Sequence, residues 1–281
     1  MLLKQNMLLL GKPGLSMRKD AEAAAKEYLG VKNIETHPDF LFVAVPDGKK
    51  SIGVDDIADF MKIAYIKPSI SEKSVIIIDG IDAFTVQAQN RVLKVLEDCS
   101  NIIVIAISYG GMVLATIKSR LLIYEYHPLS AEEFIKKYDS SDSRLLFYAT
   151  GGCDGLIPLV TEHINTFREI KEVIENGQIP KLLGALHLLK EKDNENLAGT
   201  PIVPNIIDFL IRSFSELLML KESEHYAFLY CKQCADPYRL DQLRKGMRIL
   251  SNNREICQQN MYSKDNYFSM IKNVIMAFEE E

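Results

Sequence analysis

The residues with the clearest chemical potential lie near the start of the chain: Gly11-Lys12-Pro13-Gly14-Leu15-Ser16-Met17-Arg18, between an apolar run and an Ala-rich stretch. A strand, a glycine turn and a helix in that order is where a phosphate-binding loop sits. Such a loop reads G-x-x-x-x-G-K-[ST]. Its glycines let backbone N–H groups face phosphate, its lysine neutralises the charge and its hydroxyl holds magnesium. Counted from Gly11, Ser16 stands at the second glycine, Met17 at the lysine and Arg18 at the hydroxyl. All three chemical positions are lost. Lys12 and Arg18 keep positive charge nearby, but neither stands where the lysine belongs. The loop reads as a structural relic, not a nucleotide site.

A second candidate is Ser74-Val75-Ile76-Ile77-Ile78-Asp79-Gly80, a β-branched run that ends in an acid. Nucleotide hydrolysis wants a magnesium-holding acid there and a second acid directly after it, to orient the attacking water. The second position is Gly80, so Asp79 and Asp82 are expected to cap the following turn or helix. Ser108, at the end of the next long strand, suits either a water-polarising group or a turn residue. His37-Pro38-Asp39 suggests a turn, because the five histidines are scattered and make no ligand cluster. Glu97 and Asp98 point in different directions on a helix and read as solvated. Cys231 and Cys234 form an isolated C-x-x-C. Zinc usually takes four ligands, so these read as two ordinary half-buried thiols. No metal and no cofactor is expected.

These residues must be positioned by alternating strands and helices. Met7 to Leu10, Phe40 to Val45, Val75 to Ile78, Ile102 to Ile107 and Leu121 to Tyr126 read as strands. Helical patterns run to Tyr28, recur at Ile57, Phe60, Met61 and Ala64, and return over Val86 to Leu96. Such alternation implies right-handed crossovers and a parallel sheet covered on both faces. After Pro128 the strand signals stop and apolar residues follow the helical period. Breaks fall at Gly151, Gly152 and Gly155, then at 177–180 and 198–204.

The chain has 281 residues, of which 47% are apolar and 25% charged. That balance belongs to globular proteins and excludes a disordered tail, a collagen-like fibre or a disulfide scaffold. A net charge of -5 excludes a chain that is polybasic as a whole, while a local basic patch for nucleic acid stays open. Five cysteines, an odd number without a pairing pattern, fit a reducing cytoplasm. No apolar run approaches the roughly 18 residues of a membrane span, so no membrane association is expected.

In this order, His37-Pro38-Asp39, Ile52 to Asp56, Ser74 to Asp82, Gln87-Ala88-Gln89-Asn90-Arg91-Val92-Leu93-Lys94-Val95-Leu96-Glu97 and Thr116-Ile117-Lys118-Ser119-Arg120 resemble bacterial AAA+ clamp-loader subunits. The strong resemblance covers about residues 36 to 130. The failed phosphate loop looks like the delta-prime branch and not the ATP-hydrolysing gamma/tau branch. Three departures stand out. The family's four zinc cysteines have no room between Gly30 and Thr36, Ser-Arg-Cys reads Ser119-Arg120-Leu121, and a phosphate-sensing arginine is replaced by Leu156 after Gly151-Gly152-Cys153-Asp154-Gly155.

The resemblance implies an α/β AAA+-type parallel sheet domain over 1–127, a small helical lid over 128–176 and an all-α collar over 177–281. It implies a cytoplasmic, non-hydrolysing subunit with gamma/tau and delta subunits as partners. The sliding clamp and primed DNA would be met through the complex. Arg120 matches the family's arginine finger, which acts in trans on a neighbour's ATP, with Ser119 supporting it. Two rivals stay open: a small AAA+ ATPase with an atypical phosphate loop, and a family relative outside replication. In the collar, Ile206, Ile207, Phe209, Leu210, Leu217 and Leu218 exceed what one helix face needs. Either a partner or the chain's own core buries the surplus.

Overall fold

Runs of Val, Ile and Leu, four to seven residues long, build the sheet of the first unit: β1 (Met7–Leu10), β2 (Phe40–Ala44), β3 (Ser74–Asp79), β4 (Ile102–Ser108) and β5 (Leu122–Glu125). The computed structural model describes residues 4–46, 49, 51–185, 202–222, 228–258 and 264–279. All five strands are parallel, in the order β2-β3-β4-β1-β5. Leu8 lies opposite Ala106 on one side and Ile123 on the other, so β1 is an inner strand. β3 and β4 are buried almost throughout, as strands covered on both faces must be.

Parallel strands require crossovers, and the helices supply them: α1 (Met17–Leu29), α2 (Ala58–Tyr65), α3 (Val86–Asp98) and α4 (Ala115–Lys118). Ala21, Ala24 and Ala25 give α1 a small, buried face. On α3 the buried residues Ala88, Val92 and Val95 recur at helical spacing, and Thr85 caps the helix by accepting the Ala88 N–H at 3.2 Å. Ile76, Ile78, Val104 and Ala106 from the strands, Val92 and Val95 from α3, and Phe60 from α2 share one core.

The first unit ends at His127, and Pro128–Glu281 forms the second. It holds α5 (Ala131–Lys137), α6 (Ser143–Thr150), α7 (Ile157–Glu162), α8 (Ile164–Glu175), α9 (Val203–Glu222), α10 (Leu240–Gln258) and α11 (Lys264–Glu279). A reciprocal capping box opens it. The Glu133 N–H donates to Ser130 Oγ, and the Ser130 N–H donates to Glu133 Oε2 at 2.9 Å. One core runs through the unit, joining Phe167, Ile170 and Ile174 of α8 to Phe209, Leu210 and Phe214 of α9.

The apolar surplus of α9 belongs to that core and not to a partner. Ile206, Ile207, Phe209, Leu210 and Leu217 are fully buried, and Leu218 packs half-buried against them. α9 can be apolar over most of its circumference because it is surrounded by the chain's own helices. Of the break expected at 198–204, residues up to 201 lie outside the described ones, and Val203 and Pro204 already open α9. Among the described residues no helix is long and apolar enough to cross a membrane.

Candidate functional site

Parallel sheets gather chemistry at the carboxyl ends of their strands, where the chain reverses direction across the sheet. After β1 the next strand lies at the far edge, and β5 lies on β1's other side. The crevice at the end of β1 therefore collects the Gly11–Arg18 loop, Asp79 from β3 and the residues that follow β4. Backbone hydrogen bonds tie these ends together. The Gly11 N–H donates to the Ser108 carbonyl at 3.1 Å, and the Gly80 N–H donates to the Ile107 carbonyl at 3.1 Å.

The loop is filled from within. A Cβ on Gly11 would stand 2.9 Å from Leu15 Cδ1 and 3.0 Å from both Met17 Sδ and Tyr126 Cβ. Glycine is thus demanded by close approach, and what approaches is hydrocarbon and sulfur. Met17 is completely buried and Leu15 nearly so. Gly14 turns the chain with φ 91°, in the left-handed region where glycine is at ease. Ser16 Oγ donates to Asp20 Oδ2 at 3.1 Å, and the Tyr126 hydroxyl meets the same oxygen at 3.0 Å. Lys12 is exposed.

Asp79 does not cap the following turn, as the sequence suggested. Its Oδ1 accepts the Tyr109 hydroxyl at 2.6 Å, and its Oδ2 faces the Arg18 guanidinium at 3.6 Å. Arg18 also pairs with Glu22 at 3.0 Å and lies 4.5 Å over the Phe42 ring. So a cation tethered at the hydroxyl position of the loop engages the acid at the end of β3. Burial, and then the bond to Asp79, hold the Tyr109 phenol well above its ordinary pKa, as a neutral donor. Asp82 does cap a turn, but one across the sheet, accepting N–H groups from Tyr109 at 3.2 Å and Gly111 at 2.8 Å.

Gly80 has φ 82°, with open space where a Cβ would stand. Conformation, not crowding, selects glycine there, and an acid at that position would be strained. Ser108 is a strand residue and not a turn residue. It closes β4, and its Oγ is the one buried side-chain polar atom without a hydrogen-bond partner among the described residues.

Arg120 stands just past α4, two residues before β5, which forms a sheet edge. Its guanidinium is 39% exposed and folds back on its own unit. It donates to the Thr116 carbonyl at 3.0 Å, to Ser119 Oγ at 3.4 Å and to Glu97 Oε1 at 2.5 Å. Ser119 Oγ donates to the same Thr116 carbonyl at 3.0 Å. Glu97 is therefore an ion-pair partner and not merely solvated. Beside Arg120, Leu122, Ile123 and Tyr124 of β5 are exposed.

His37-Pro38-Asp39 is the expected turn, with an added duty. His37 Nδ1 accepts the Asp39 N–H at 3.2 Å. The buried Asp39 carboxylate accepts N–H groups from Ser69 at 2.5 Å, Ile70 at 2.8 Å and Ser71 at 2.7 Å. Burial opposes its ionisation, but these three donors outweigh burial and hold its pKa below the ordinary carboxylate value. Leu156 ends a short 3-10 turn before α7 and packs against the core of the second unit. Cys231 and Cys234 are not alike, since the first is exposed and the second buried. Among the described residues no three metal-ligating side chains cluster.

Tyr109 is not singled out by the sequence, and Glu97 reads there only as solvated. Glu97 lies inside the quoted helix motif, and Tyr109 directly follows a strand end. In neither case does spacing reveal the partner, because the pairing crosses between elements.

A family profile described as "DNA polymerase III, delta subunit" matches residues 14–130. The replication factor C small subunit of Methanococcus maripaludis is 30% identical over 158 residues, 54% of this chain and 48% of that protein. The DNA polymerase III subunit delta' of Pseudomonas aeruginosa is 31% identical over 87 residues, 30% of this chain and 26% of that one. The chain spans about half the length of the replication factor C relatives it matches. The crystal structure of a gamma subunit-related protein from Thermotoga maritima superposes with a TM-score of 0.53 at 15% identity, over 98% of this chain and 95% of that one. That likeness concerns the fold: a parallel five-stranded domain followed by helices. The profile match lies almost wholly in the first unit, which is similar to the DNA polymerase III delta and delta-prime clamp-loader subunits.

Proposed function

We propose that this chain serves as a non-hydrolysing clamp-loader subunit of delta-prime type. It helps place a sliding clamp on primed DNA by acting on a neighbour's ATP site. One contrast carries the reading. The site at β1 is closed to magnesium nucleotide, whereas the trans-acting arginine remains at an edge. Met17 fills the place of the lysine, and both oxygens of Asp79 are engaged by Tyr109 and Arg18. That donor set does not fit a phosphate–magnesium pair, which needs a free cation for the one and free carboxylate oxygens for the other. Arg120 is part-exposed and fixed only by surface contacts.

In this reading residues 1–127 are an inert AAA+ domain, 128–176 a lid and 177–281 the collar through which gamma/tau and delta subunits assemble. Arg120 approaches the γ-phosphate held by a neighbour. Its planar, permanently charged fork suits a phosphoryl group on which charge is building, better than a lysine would.

The test is reconstitution with gamma/tau and delta subunits, carrying wild-type, Arg120→Ala or Arg120→Lys chains. The complex should assemble equally in all three. ATPase stimulated by clamp and DNA should fall with Arg120→Ala and recover only in part with lysine. An arginine finger is worth about 10³–10⁵-fold at its own site. The summed rate falls less, because sites facing other subunits keep their fingers. Wild-type ATPase and clamp loading by the Arg120→Ala complex would overturn the proposal.

A further inference from the structure

The C-x-x-C of the second unit has a chemistry that clamp loading does not use. Cys231 precedes a 3-10 turn, Lys232–Ala235, whose first bond runs from the Cys234 N–H to the Cys231 carbonyl at 3.0 Å. That turn brings the two sulfurs to 3.1 Å. A disulfide has S–S of about 2.05 Å, so closing the pair needs about 1 Å of side-chain movement. The thiols are also unequal. Cys231 is exposed, whereas Cys234 is 8% exposed and packed in the helical core.

We propose that Cys231 and Cys234 are a redox-modifiable dithiol, in which Cys231 attacks a low-molecular-weight disulfide and Cys234 resolves the product into an intramolecular disulfide. The surroundings suit those roles. The contact with the Cys234 thiol, and then backbone N–H groups of Cys234 and Gln233, hold the Cys231 thiol below its ordinary pKa. Burial, and then the bond to Cys231, push the Cys234 thiol up. The exposed sulfur is thus the better thiolate, and the buried one keeps its proton until the second step.

The chemistry balances with oxidised glutathione as oxidant. The Cys231 thiolate attacks one glutathione sulfur, the glutathione S–S bond breaks, and a first glutathione leaves and takes a proton. Cys234 then loses its proton and attacks Cys231 Sγ. The mixed disulfide breaks and a second glutathione leaves, protonated. Two protein thiols are oxidised and one glutathione disulfide is reduced to two thiols.

Among the described residues the other thiols compete poorly. Cys153 is buried, and Cys99 is half-buried with its thiol pushed up by burial and by Asp98. Zinc is the other use of paired thiols, but among the described residues no third ligand joins these two.

The experiment treats the full chain with oxidised glutathione, then alkylates and maps the peptides by mass. The peptide holding Cys231 and Cys234 should lose two hydrogens without gaining glutathione, and dithiothreitol should reverse this. Cys234→Ser should instead retain one glutathione on Cys231, and Cys231→Ser should form no disulfide within that peptide. With limiting alkylating agent, Cys231 should react at least ~10-fold faster than Cys99 or Cys153. The proposal is overturned by a pair that stays reduced in excess oxidised glutathione. It is equally overturned by Cys231 reacting no faster than Cys99, or by oxidation that only links two chains.

Discussion

Arg120 and Glu97 meet at 2.5 Å, from the end of one helix to the last turn of another. Both groups are about 40% exposed, so solvent screens the pair. An exposed pair of this kind is worth about 0–1 kcal/mol, small enough for a γ-phosphate to displace. In the proposed trans-acting role, Arg120 would be held on its own subunit at little cost.

Glu97→Gln should leave the melting temperature nearly unchanged and raise the stimulated ATPase of the reconstituted complex modestly, by no more than ~5-fold, the equivalent of about 1 kcal/mol. Raising the salt concentration should shrink the difference between variant and wild type. If Glu97→Gln lowers turnover as far as Arg120→Ala does, Glu97 orients the guanidinium and does not restrain it.

Met17→Lys should not restore nucleotide binding. The side chain at 17 points into a site with no exposure, so an ammonium there must desolvate or prise the loop open. The expected cost is at least that of truncating a buried methionine, about 2–5 kcal/mol. Asp79 would still be engaged by Tyr109 and Arg18. Thermal melting should show the loss, and calorimetry with Mg-ATP should give no binding heat. Micromolar affinity in Met17→Lys would mean that the lysine position alone silences the site.

The sheet was legible because its strands are short apolar runs, β-branched in β3 and β4, that need no partner to declare themselves. Ile102 to Ile107 and Ser74 to Asp79 could hardly be anything else. The loss of the phosphate loop was equally legible, since it rests on residue types at fixed spacing. What could not be read was pairing between elements. Arg18 and Asp79 are 61 positions apart, and Tyr109 reaches Asp79 across the ends of adjacent strands. The surplus of α9 was ambiguous for the same reason. A helix apolar all round suits either a partner or a surrounding core, and only the packing of α8, α10 and α11 decides.

Asp39 should make the stability of the first unit acid-sensitive. Its folded pKa lies below the unfolded value of about 3.9. Its contribution is therefore fully present above that value and is lost as pH falls through the folded pKa. Asp39→Asn removes the charge that three N–H donors surround, so at neutral pH it should melt lower than wild type. Below about pH 4 the two should converge. Hydrogen exchange at Ser69, Ile70 and Ser71 should quicken in the variant at neutral pH. Equal melting temperatures at pH 7 would show that the asparagine oxygen alone serves the loop.

Glu216 should matter more for its shape than for its charge. Its carboxylate is buried on α9. Oε1 accepts three consecutive N–H groups, from Phe228 at 2.6 Å, Leu229 at 2.9 Å and Tyr230 at 3.1 Å, while Oε2 accepts the Tyr148 hydroxyl. The three backbone donors therefore share one oxygen. A glutamine can keep that oxygen in place and turn its amide toward Tyr148, whose hydroxyl can accept as well as donate. An alanine leaves the three backbone donors without their acceptor, while the Tyr148 hydroxyl keeps only the Arg212 carbonyl at 3.0 Å. Glu216→Gln should cost about 1–2 kcal/mol, and Glu216→Ala on the order of 3 kcal/mol or more. Urea denaturation of the full chain reads both. Equal losses in the two variants would show that the negative charge, and not the acceptor position, holds residues 228–230 on the helix.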